Sequence, residues 1–169
     1  PTMGALHEGH IALIKKSVAE NDFTVCSIFV NPTQFNNPDD LKKYPRTLDE
    51  DCKMLKNAGC DVVFAPTAEE MYPNLPQIKL NFGYLEEIME GKFRPGHFNG
   101  VGIVVAKLFH IIKPNKTYFG QKDIQQVAVI NRLIKDFSFD LEMIVCDTIR
   151  ENDGLAMSSR NRRLSNEAR

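Results

Sequence analysis

The sequence predicts an α/β fold with a doubly wound, mostly parallel sheet covered by helices on both faces. Short β-branched and aromatic runs alternate with longer apolar or amphipathic segments along the chain. The runs at 23–30 and 61–65 have the continuous apolar character of buried parallel strands. Ligands of such folds gather outside the carboxyl ends of the strands, so the residues that follow each strand are the first candidates for a site.

Cap signals separate the predicted elements. Thr47 and Glu50 have the spacing of a capping box, which predicts that a helix begins there and ends near Gly59. Thr67 and Glu70 repeat the spacing and predict a short helical turn. In chain order we expect a helix at 11–18, a strand at 23–30, a helix at 47–58, a strand at 61–65, a flexible basic loop at 94–100, a helix at 101–112, a strand at 116–119, a helix at 123–137 and a strand at 141–145.

The two ends of the sequence look incomplete for this architecture. A site-bearing helix in a doubly wound sheet follows its own strand, and the chain begins where that strand should finish. Residues 165–169 resemble the start of a capped helix. We therefore expect 1–169 to be one domain taken from a longer protein, without its first strand.

Composition excludes several classes of partner. The chain has 169 residues with 21 basic and 22 acidic side chains interspersed, so no nucleic-acid surface or anionic-membrane patch is predicted. The longest apolar stretch, 101–112, is too short to span a bilayer. Four scattered cysteines without a C-x-x-C pair fit free thiols in a reducing compartment, so we expect a cytoplasmic protein.

The sequence His7-Glu8-Gly9-His10 is the strongest candidate for chemistry. Its two imidazoles are three residues apart and share one helical face, and Gly9 lets a ligand approach the backbone. A helix N-terminus attracts anions, so this motif predicts a phosphate site. The alternatives are an ordinary helix start, or a zinc site that would need a third ligand; His97 and His110 lie far along the chain.

Three further polar groups follow predicted strands or turns. Asn31 and Gln34 offer amides to a small hydroxy acid, although an ordinary turn would also explain them. Lys122 is placed to neutralise phosphate, with Asp123 as a helix N-cap and Gln126 on the same face; a capped helix with a solvated lysine is the alternative. The hydroxyls and guanidinium of 157–160 suit an oxyanion clamp, or a polar loop.

Together these groups indicate a nucleoside triphosphate site of unusual type. The chain has no G-x-x-x-x-G-K-[ST] loop and no G-x-G-x-x-G fingerprint, which disfavours P-loop kinases and dinucleotide oxidoreductases. Six ordered blocks resemble the pantothenate synthetase family, which is similar to the HIGH-motif nucleotidyltransferases. These blocks are 1–10, 27–35, 44–47, 94–98, 119–123 and 153–161.

This resemblance implies a Rossmann-like nucleotide-binding domain of an ATP-dependent, AMP-forming ligase of coenzyme A biosynthesis. Such an enzyme joins (R)-pantoate to β-alanine through a pantoyl adenylate, and the family implies Mg²⁺, a homodimer and a C-terminal closing domain that this chain lacks. Gln121 stands where the family more often has Glu.

The resemblance also implies roles for individual residues. His10 is placed as the proton donor, and His7, Lys122 and Arg160 with Mg²⁺ would stabilise charge on the phosphates. Gln34 would contact both pantoate and β-alanine, and Gln126 would contact pantoate. Asn31 would belong to the same substrate site. The implied ATP contacts are Met3, Gly4, Ala5, Leu6, His7, Glu8, Gly9, His10, Gly120, Gln121, Lys122, Asp123, Ile149, Met157, Ser158, Ser159 and Arg160.

Other functions stay open at this point. A related nucleotidyltransferase would stop after transferring a nucleotidyl group to its acceptor. A nucleotide-binding fragment would bind ATP without turnover, and a zinc-binding protein would use the histidine pair as ligands.

Overall fold

The structure is a computed structural model that describes residues 1–165; for residues 162 and 163 it describes the backbone alone. It is an α/β fold whose described strands all pair in parallel. The helix start predicted at 165–169 lies outside the described residues beyond Ser165. The strands are β1 (Val25–Ser27), β2 (Val62–Phe64), β3 (Lys116–Gly120) and β4 (Glu142–Cys146).

The strands are hydrogen-bonded as two separate pairs rather than as one continuous sheet of the described residues. β1 pairs with β2, and Val25 lies opposite Val62. β3 pairs with β4, and Tyr118 lies opposite Ile144. Thr2 bridges Ile28 in parallel on the edge of β1 that faces away from β2. The carboxyl ends of β1, β3 and β4 and the start of the first helix border one cavity.

Helices fill the connections between strands. The longest, which has 16 residues, precedes β3. The helices are α1 (Glu8–Glu20), α2 (Pro38–Lys43), α3 (Leu48–Asn57), α4 (Ala68–Met71), α5 (Met89–Phe93), α6 (His97–Ile112) and α7 (Ile124–Asp136), with 3₁₀ turns at Pro32–Gln34, Gly83–Glu86, Gln121–Asp123 and Ser159–Arg163.

Two predicted features of the helices were wrong. The segment at 94–100 is not a loop throughout, because α6 begins at His97 directly after Gly96, whose φ of 76° turns the chain. Thr47 occupies the N-cap position of α3 but makes no cap bond. Its hydroxyl instead donates to Asp51 Oδ2 at 3.2 Å, and this bond to a buried carboxylate holds the hydroxyl. The capping box predicted at Thr67 is confirmed, because the Thr67 hydroxyl accepts from the amide of Glu70 and the Glu70 carboxylate accepts from the amide of Thr67.

The predicted strand at 23–30 is longer than the observed β1. Phe23 is 62% exposed, and the amide of Thr24 donates to Asp61 Oδ2 rather than to a neighbouring strand. At the other end, the amide of Phe29 donates to Thr2. The strand-to-strand hydrogen bonds expected at the two ends of 23–30 are therefore replaced by the Asp61 side chain at one end and by Thr2 at the other.

Two apolar clusters pack the helices against the strands. The larger one packs α6 and α7 against β3, and Val101, Val104, Val105 and Leu108 of α6 form its stripe at helical spacing. Burying each such side chain stabilises the fold by roughly 1.5–3 kcal/mol. The smaller cluster joins α1, β1 and α3 and includes Leu6, Ile14, Cys26, Ile28 and Leu55. Leu6 thus anchors the segment before α1 in the core.

The described part of the chain contains no helix with both the length and the apolarity needed to cross a membrane. All four cysteines are free thiols, and Cys26 and Cys146 are buried. Burial is the main cause that raises the pKa of Cys26 to about 11, so this thiol stays protonated and packs as an apolar side chain.

Candidate active site

A cavity of about 250 Å³ lies where the strand ends meet the start of α1. It brings together most residues that the sequence predicted for a site. Five predicted residues, Gly4, Ala5, Leu6, Glu8 and Gln121, do not line it. The predicted residues that do are Met3, His7, Gly9, His10, Asn31, Gln34, Gly120, Lys122, Asp123, Gln126, Ile149, Met157, Ser158, Ser159 and Arg160.

The two histidines are both the cap of α1 and a wall of the cavity. His7 Nδ1 accepts from the amide of Gly9 at 3.2 Å, and His10 Nδ1 accepts from the amide of His7 at 3.3 Å. The two side chains form a reciprocal capping box, and their ring centroids are 4.1 Å apart. The helix-start interpretation of the motif is therefore confirmed, and the phosphate site stays a prediction for two histidines that line the cavity.

The hydrogen bonds of these rings fix their protonation. Burial, followed by the nearby His7 and Lys122, lowers the pKa of His10 to about 3. His10 is therefore neutral at neutral pH. Because Nδ1 of His10 accepts a backbone hydrogen bond, its single proton resides on Nε2. Without a bound anion, His10 is a neutral hydrogen-bond donor rather than a cation.

The segment before α1 is held by a carboxylate from α3. Asp51, 1% exposed, accepts from the amides of Ala5 at 2.9 Å and Leu6 at 2.8 Å. Gly4 and Ala5 have φ of 78° and 50°, a left-handed conformation that is costly for alanine. Because Asp51 already accepts the backbone donors of Ala5 and Leu6, their contacts with ATP, which stay predictions, would have to use other atoms.

We call Lys122, Asp123, Asp40 and Arg160 the charged rim. Lys122 Nζ lies 2.8 Å from Asp123 Oδ1, and Arg160 Nη2 lies 3.2 Å from Asp40 Oδ2. The side chains of the two cations are 37% and 53% exposed. Exposed pairs of this kind are worth only about 0–1 kcal/mol. Asp123 stands at the N-cap of α7 without a cap bond, so its predicted capping role was wrong; Lys122 holds its carboxylate instead.

The predicted hydroxyl clamp at 157–160 is partly used within the protein. Ser159 Oγ donates to the carbonyl of Ala5 at 2.9 Å and ties this segment to the start of α1. Ser158 Oγ accepts from the amide of Arg160 at 3.3 Å, which caps the last 3₁₀ turn. The cavity wall formed by this segment is therefore fixed by its serines, while Arg160 reaches the charged rim.

We call residues 31–34 the amide turn. Asn31 is 1% exposed, and although it lines the cavity, its amide is bonded to protein partners. Its Nδ2 donates to Gln34 Oε1 at 3.0 Å and to the carbonyl of Gly100 at 3.2 Å. Its Oδ1 accepts from the Tyr72 hydroxyl at 2.9 Å and from the Thr33 hydroxyl at 2.9 Å. Asn31 is thus saturated by protein partners.

Gln34 is the residue of the amide turn whose donor meets the cavity wall. Its Nε2 lies 3.1 Å from the thioether of Met3, a weak acceptor that a substrate oxygen can replace. The backbone carbonyl of Gln34 accepts from Nδ1 of His97 at 2.8 Å. Burial is the main cause that lowers the pKa of His97. Arg94 Nη1 lies 3.1 Å from Nε2 of the same ring.

Adjacent glutamines on α7 have different tasks. Gln126 lines the cavity. Gln125 is 6% exposed and donates from Nε2 to the carbonyls of Leu85 at 2.7 Å and Ile88 at 2.8 Å, which holds the segment before α5. The sequence prediction missed Gln125, and it also missed the lining residues Asp147 and Thr148. The last two directly follow β4, so the strand-end rule could have found them.

The fold and this cavity define a class of protein. Parallel strands, helices in the connections and a histidine pair at a helix N-terminus beside the strand ends make a Rossmann-like fold of the nucleotidyltransferase type. The pantoate-beta-alanine ligase family model matches residues 1–169. The chain belongs to this family.

Curated relatives agree with the family match. Pantothenate synthetase of Cytophaga hutchinsonii is 61% identical over 98% of this chain and 58% of that protein. Pantothenate synthetase of Bacteroides fragilis is 57% identical over 100% of this chain and 60% of that protein. The chain therefore spans about six-tenths of the length of these relatives.

Solved structures resemble the chain along nearly all of its length. The pantoate-beta-alanine ligase of Francisella tularensis, crystallised with beta-gamma ATP and beta-alanine, has a TM-score of 0.95 and 50% identity over 98% of this chain and 64% of that one. Pantothenate synthetase of Thermus thermophilus has a TM-score of 0.95 and 49% identity over 99% of this chain and 61% of that one.

Proposed function

We propose that the protein condenses (R)-pantoate with β-alanine at the expense of ATP, giving pantothenate, AMP and pyrophosphate. One observation carries the proposal: a single cavity is lined by the histidine-capped start of α1, the cation Lys122 and the donor amide of Gln34. The first two suit a triphosphate, and the third suits an acid acceptor. The solved ligase that binds ATP and β-alanine supports the same substrates.

In the first step, a pantoate carboxylate oxygen attacks the α-phosphorus of ATP. The bond from that phosphorus to the bridging oxygen breaks, and pyrophosphate leaves with the bond electrons. Negative charge grows on the α-phosphate oxygens and on the leaving group, so donors and cations stabilise the transition state. We assign this task to the Nε2 proton of His10, to His7, and to the charges of Lys122 and Arg160.

In the second step, the neutral amine of β-alanine attacks the acyl carbon of the pantoyl adenylate. The amide bond forms, AMP leaves with the bond electrons, and the amine loses a proton to solvent. No covalent bond to the protein is required. Gln34 contributes by holding the acid in place, because orientation of two bound reactants supplies much of the barrier reduction. Gln126 lines the same cavity and is assigned to pantoate.

Mg²⁺ is part of the proposal and would neutralise phosphate charge. Within 1–165, no group of three or more His, Cys, Asp or Glu side chains is placed to hold a metal. Mg²⁺ nevertheless needs only one or two carboxylates when the nucleotide supplies phosphate oxygens. Asp123 and Asp147 line the cavity and fit this requirement, so they would provide the protein oxygens.

We further propose that the protein is a cytoplasmic homodimer. The free cysteines support a reducing compartment. The large apolar side chains of Leu75, Ile78 and Phe93 are 77%, 73% and 79% exposed, which supports a protein interface. Sedimentation equilibrium of the full-length protein tests the dimer, and a monomeric mass at micromolar concentration would contradict it.

An assay of AMP release by the full-length protein tests the proposed reaction. We expect AMP only when ATP, pantoate and β-alanine are all present, and we expect exchange of pyrophosphate into ATP with pantoate alone. Lys122→Ala should lower the rate by about 10²-fold, and Lys79→Ala, on a surface lysine outside the cavity, should not. Transfer of AMP to an acceptor without β-alanine would instead indicate a nucleotidyltransferase, and ATP binding without AMP release would contradict turnover.

A further inference from the structure

We propose that Tyr72 is a positioning residue that holds the amide of Gln34 in place through Asn31. Tyr72 does not line the cavity, and its hydroxyl lies 2.9 Å from Asn31 Oδ1. Asn31 in turn donates to Gln34 Oε1. Its effect on catalysis rests on the proposed function, in which Gln34 holds the acid substrate; its effect on the amides does not.

The polarity of Asn31 is set by backbone groups at both ends of its amide. The amide of Thr33 can only donate, and it lies 3.3 Å from Oδ1. The carbonyl of Gly100 can only accept, and it lies 3.2 Å from Nδ2. Exchanging the oxygen and nitrogen of Asn31 would place donor against donor and acceptor against acceptor. Asn31 therefore has one orientation.

This orientation determines that of Gln34. Because Asn31 presents a donor, Gln34 must present its acceptor Oε1 to it at 3.0 Å. The Nε2 group of Gln34 is then left at the cavity wall, 3.1 Å from the sulfur of Met3. A reversed Gln34 would offer an acceptor, which would repel a carboxylate. The turn thus presents a hydrogen-bond donor to the acid.

Tyr72 is the remote donor in this relay. Its hydroxyl can donate or accept, but Asn31 Oδ1 only accepts, so the hydroxyl must donate. Burial raises the pKa of Tyr72, which keeps the hydroxyl protonated. The ring is 9% exposed, lies 5.9 Å from the ring of Phe29 and is approached by Lys107 Nζ at 5.6 Å. These contacts hold the ring independently of its hydroxyl, so Tyr72→Phe removes the hydroxyl, with its bond to Asn31 and its contact with the Thr33 side chain, and leaves the ring in place.

Side-chain amide NMR of the full-length protein tests the relay without reference to activity. In Tyr72→Phe we expect the Asn31 carboxamide protons, which donate to Gln34 Oε1 and to the Gly100 carbonyl, to exchange with solvent about tenfold faster, the ratio supported by one ordinary hydrogen bond. Tyr84→Phe, at a ring that is 69% exposed, is the matched control and should leave this rate unchanged. An unchanged Asn31 rate in Tyr72→Phe would overturn the proposal.

A double-mutant cycle tests whether Tyr72 acts through Gln34. Tyr72→Phe should raise the KM for pantoate about tenfold and leave the KM for ATP within about twofold. In a Gln34→Ala background, the same change should alter the KM for pantoate by less than about twofold. An undiminished effect in that background, or an equal rise in both KM values, would overturn the relay. If the unaltered protein forms no pantothenate, the proposed function fails, and the NMR comparison alone decides the role of Tyr72.

Discussion

The amide turn and the charged rim border the same cavity and are built in opposite ways. Asn31 and Gln34 of the amide turn are 1% and 8% exposed, and protein partners fix the orientation of both amides. Lys122 and Arg160 of the charged rim are exposed and each pairs with a neighbouring carboxylate. The amide turn is assembled before any ligand arrives, whereas the charged rim holds its cations in weak pairs.

This difference suits the two kinds of ligand that we propose. A small acid gains most from a fixed donor, because little ordering entropy is then lost on binding. A triphosphate brings several charges, and an exposed ion pair costs little to exchange for them. Changes in the amide turn should therefore affect both stability and the acid, while changes in the charged rim should affect the nucleotide and leave the fold intact.

The largest expected effect comes from His10, which lines the same cavity as the two regions. His10→Ala in the full-length protein should slow exchange of pyrophosphate into ATP by about 10²- to 10³-fold, the usual loss for one donor to a transition state. His110→Ala, at an exposed position of α6, is the control. Normal exchange in His10→Ala would remove this residue from the mechanism and leave the phosphate site to Lys122 and Arg160.

Gly100→Ala tests how rigid the amide turn is. A Cβ at this position would lie 2.5 Å from the carbonyl oxygen of Thr33. Since backbone cannot give way as a side-chain end can, we expect the free energy of unfolding to fall by about 2 kcal/mol. Gly120→Ala, where nothing lies within 4 Å of the added Cβ, should change it by less than about 0.5 kcal/mol. Equal urea midpoints for the two variants would contradict a rigid turn.

The pH dependence of stability tests the neutral state of His10. Its pKa falls from 6.5 to about 3 on folding, so below pH 6.5 the unfolded chain binds a proton that the folded one does not. Stability should therefore decline as the pH falls from about 6 to 4, by about 1 kcal/mol per pH unit. In urea titrations at several pH values, the unfolding free energy of His10→Asn should fall less steeply with decreasing pH than that of the unaltered protein. His110→Asn should show the same pH dependence as the unaltered protein. Parallel curves would show that His10 is not buried as a neutral group.

The smallest effect is expected within the charged rim. Asp40→Asn removes the carboxylate partner of Arg160 at 3.2 Å, and the unfolding free energy should change by less than about 1 kcal/mol. ATP binding, followed by calorimetry, should strengthen by up to about fivefold because Arg160 no longer leaves a charged partner. Asp39→Asn on the same helix is the control. A large loss of stability would show that the rim is as fixed as the amide turn.

The sequence predicts the alternation of strands and helices and the gathering of polar groups at strand ends because both depend on local patterns. Apolar runs reveal β3 and α7, and position after a strand reveals Asn31 and Lys122. Most of the predicted site residues line one cavity, although their roles in binding and catalysis remain predictions.

Long-range polar contacts could not be predicted in the same way. In the sequence, Asp51 looks like any other acidic residue of an amphipathic helix. It nevertheless accepts hydrogen bonds from two backbone amides that lie 45 and 46 positions away. Tyr72 lies 41 positions from the asparagine that it contacts. The same limit explains the incorrect box at Thr47, because its pattern is local and the carboxylate to which its hydroxyl donates is held in place by the distant amides of Ala5 and Leu6.

Asp51 gives the segment before α1 an anion of its own. Successive left-handed residues turn neighbouring amides toward one point, and such nests ordinarily capture phosphate or carboxylate ligands. Here the captured ligand is covalently part of the chain, so it is never released and needs no ligand concentration to stay bound. The nest is therefore closed to competing anions, because the amides of Ala5 and Leu6 both donate to Asp51.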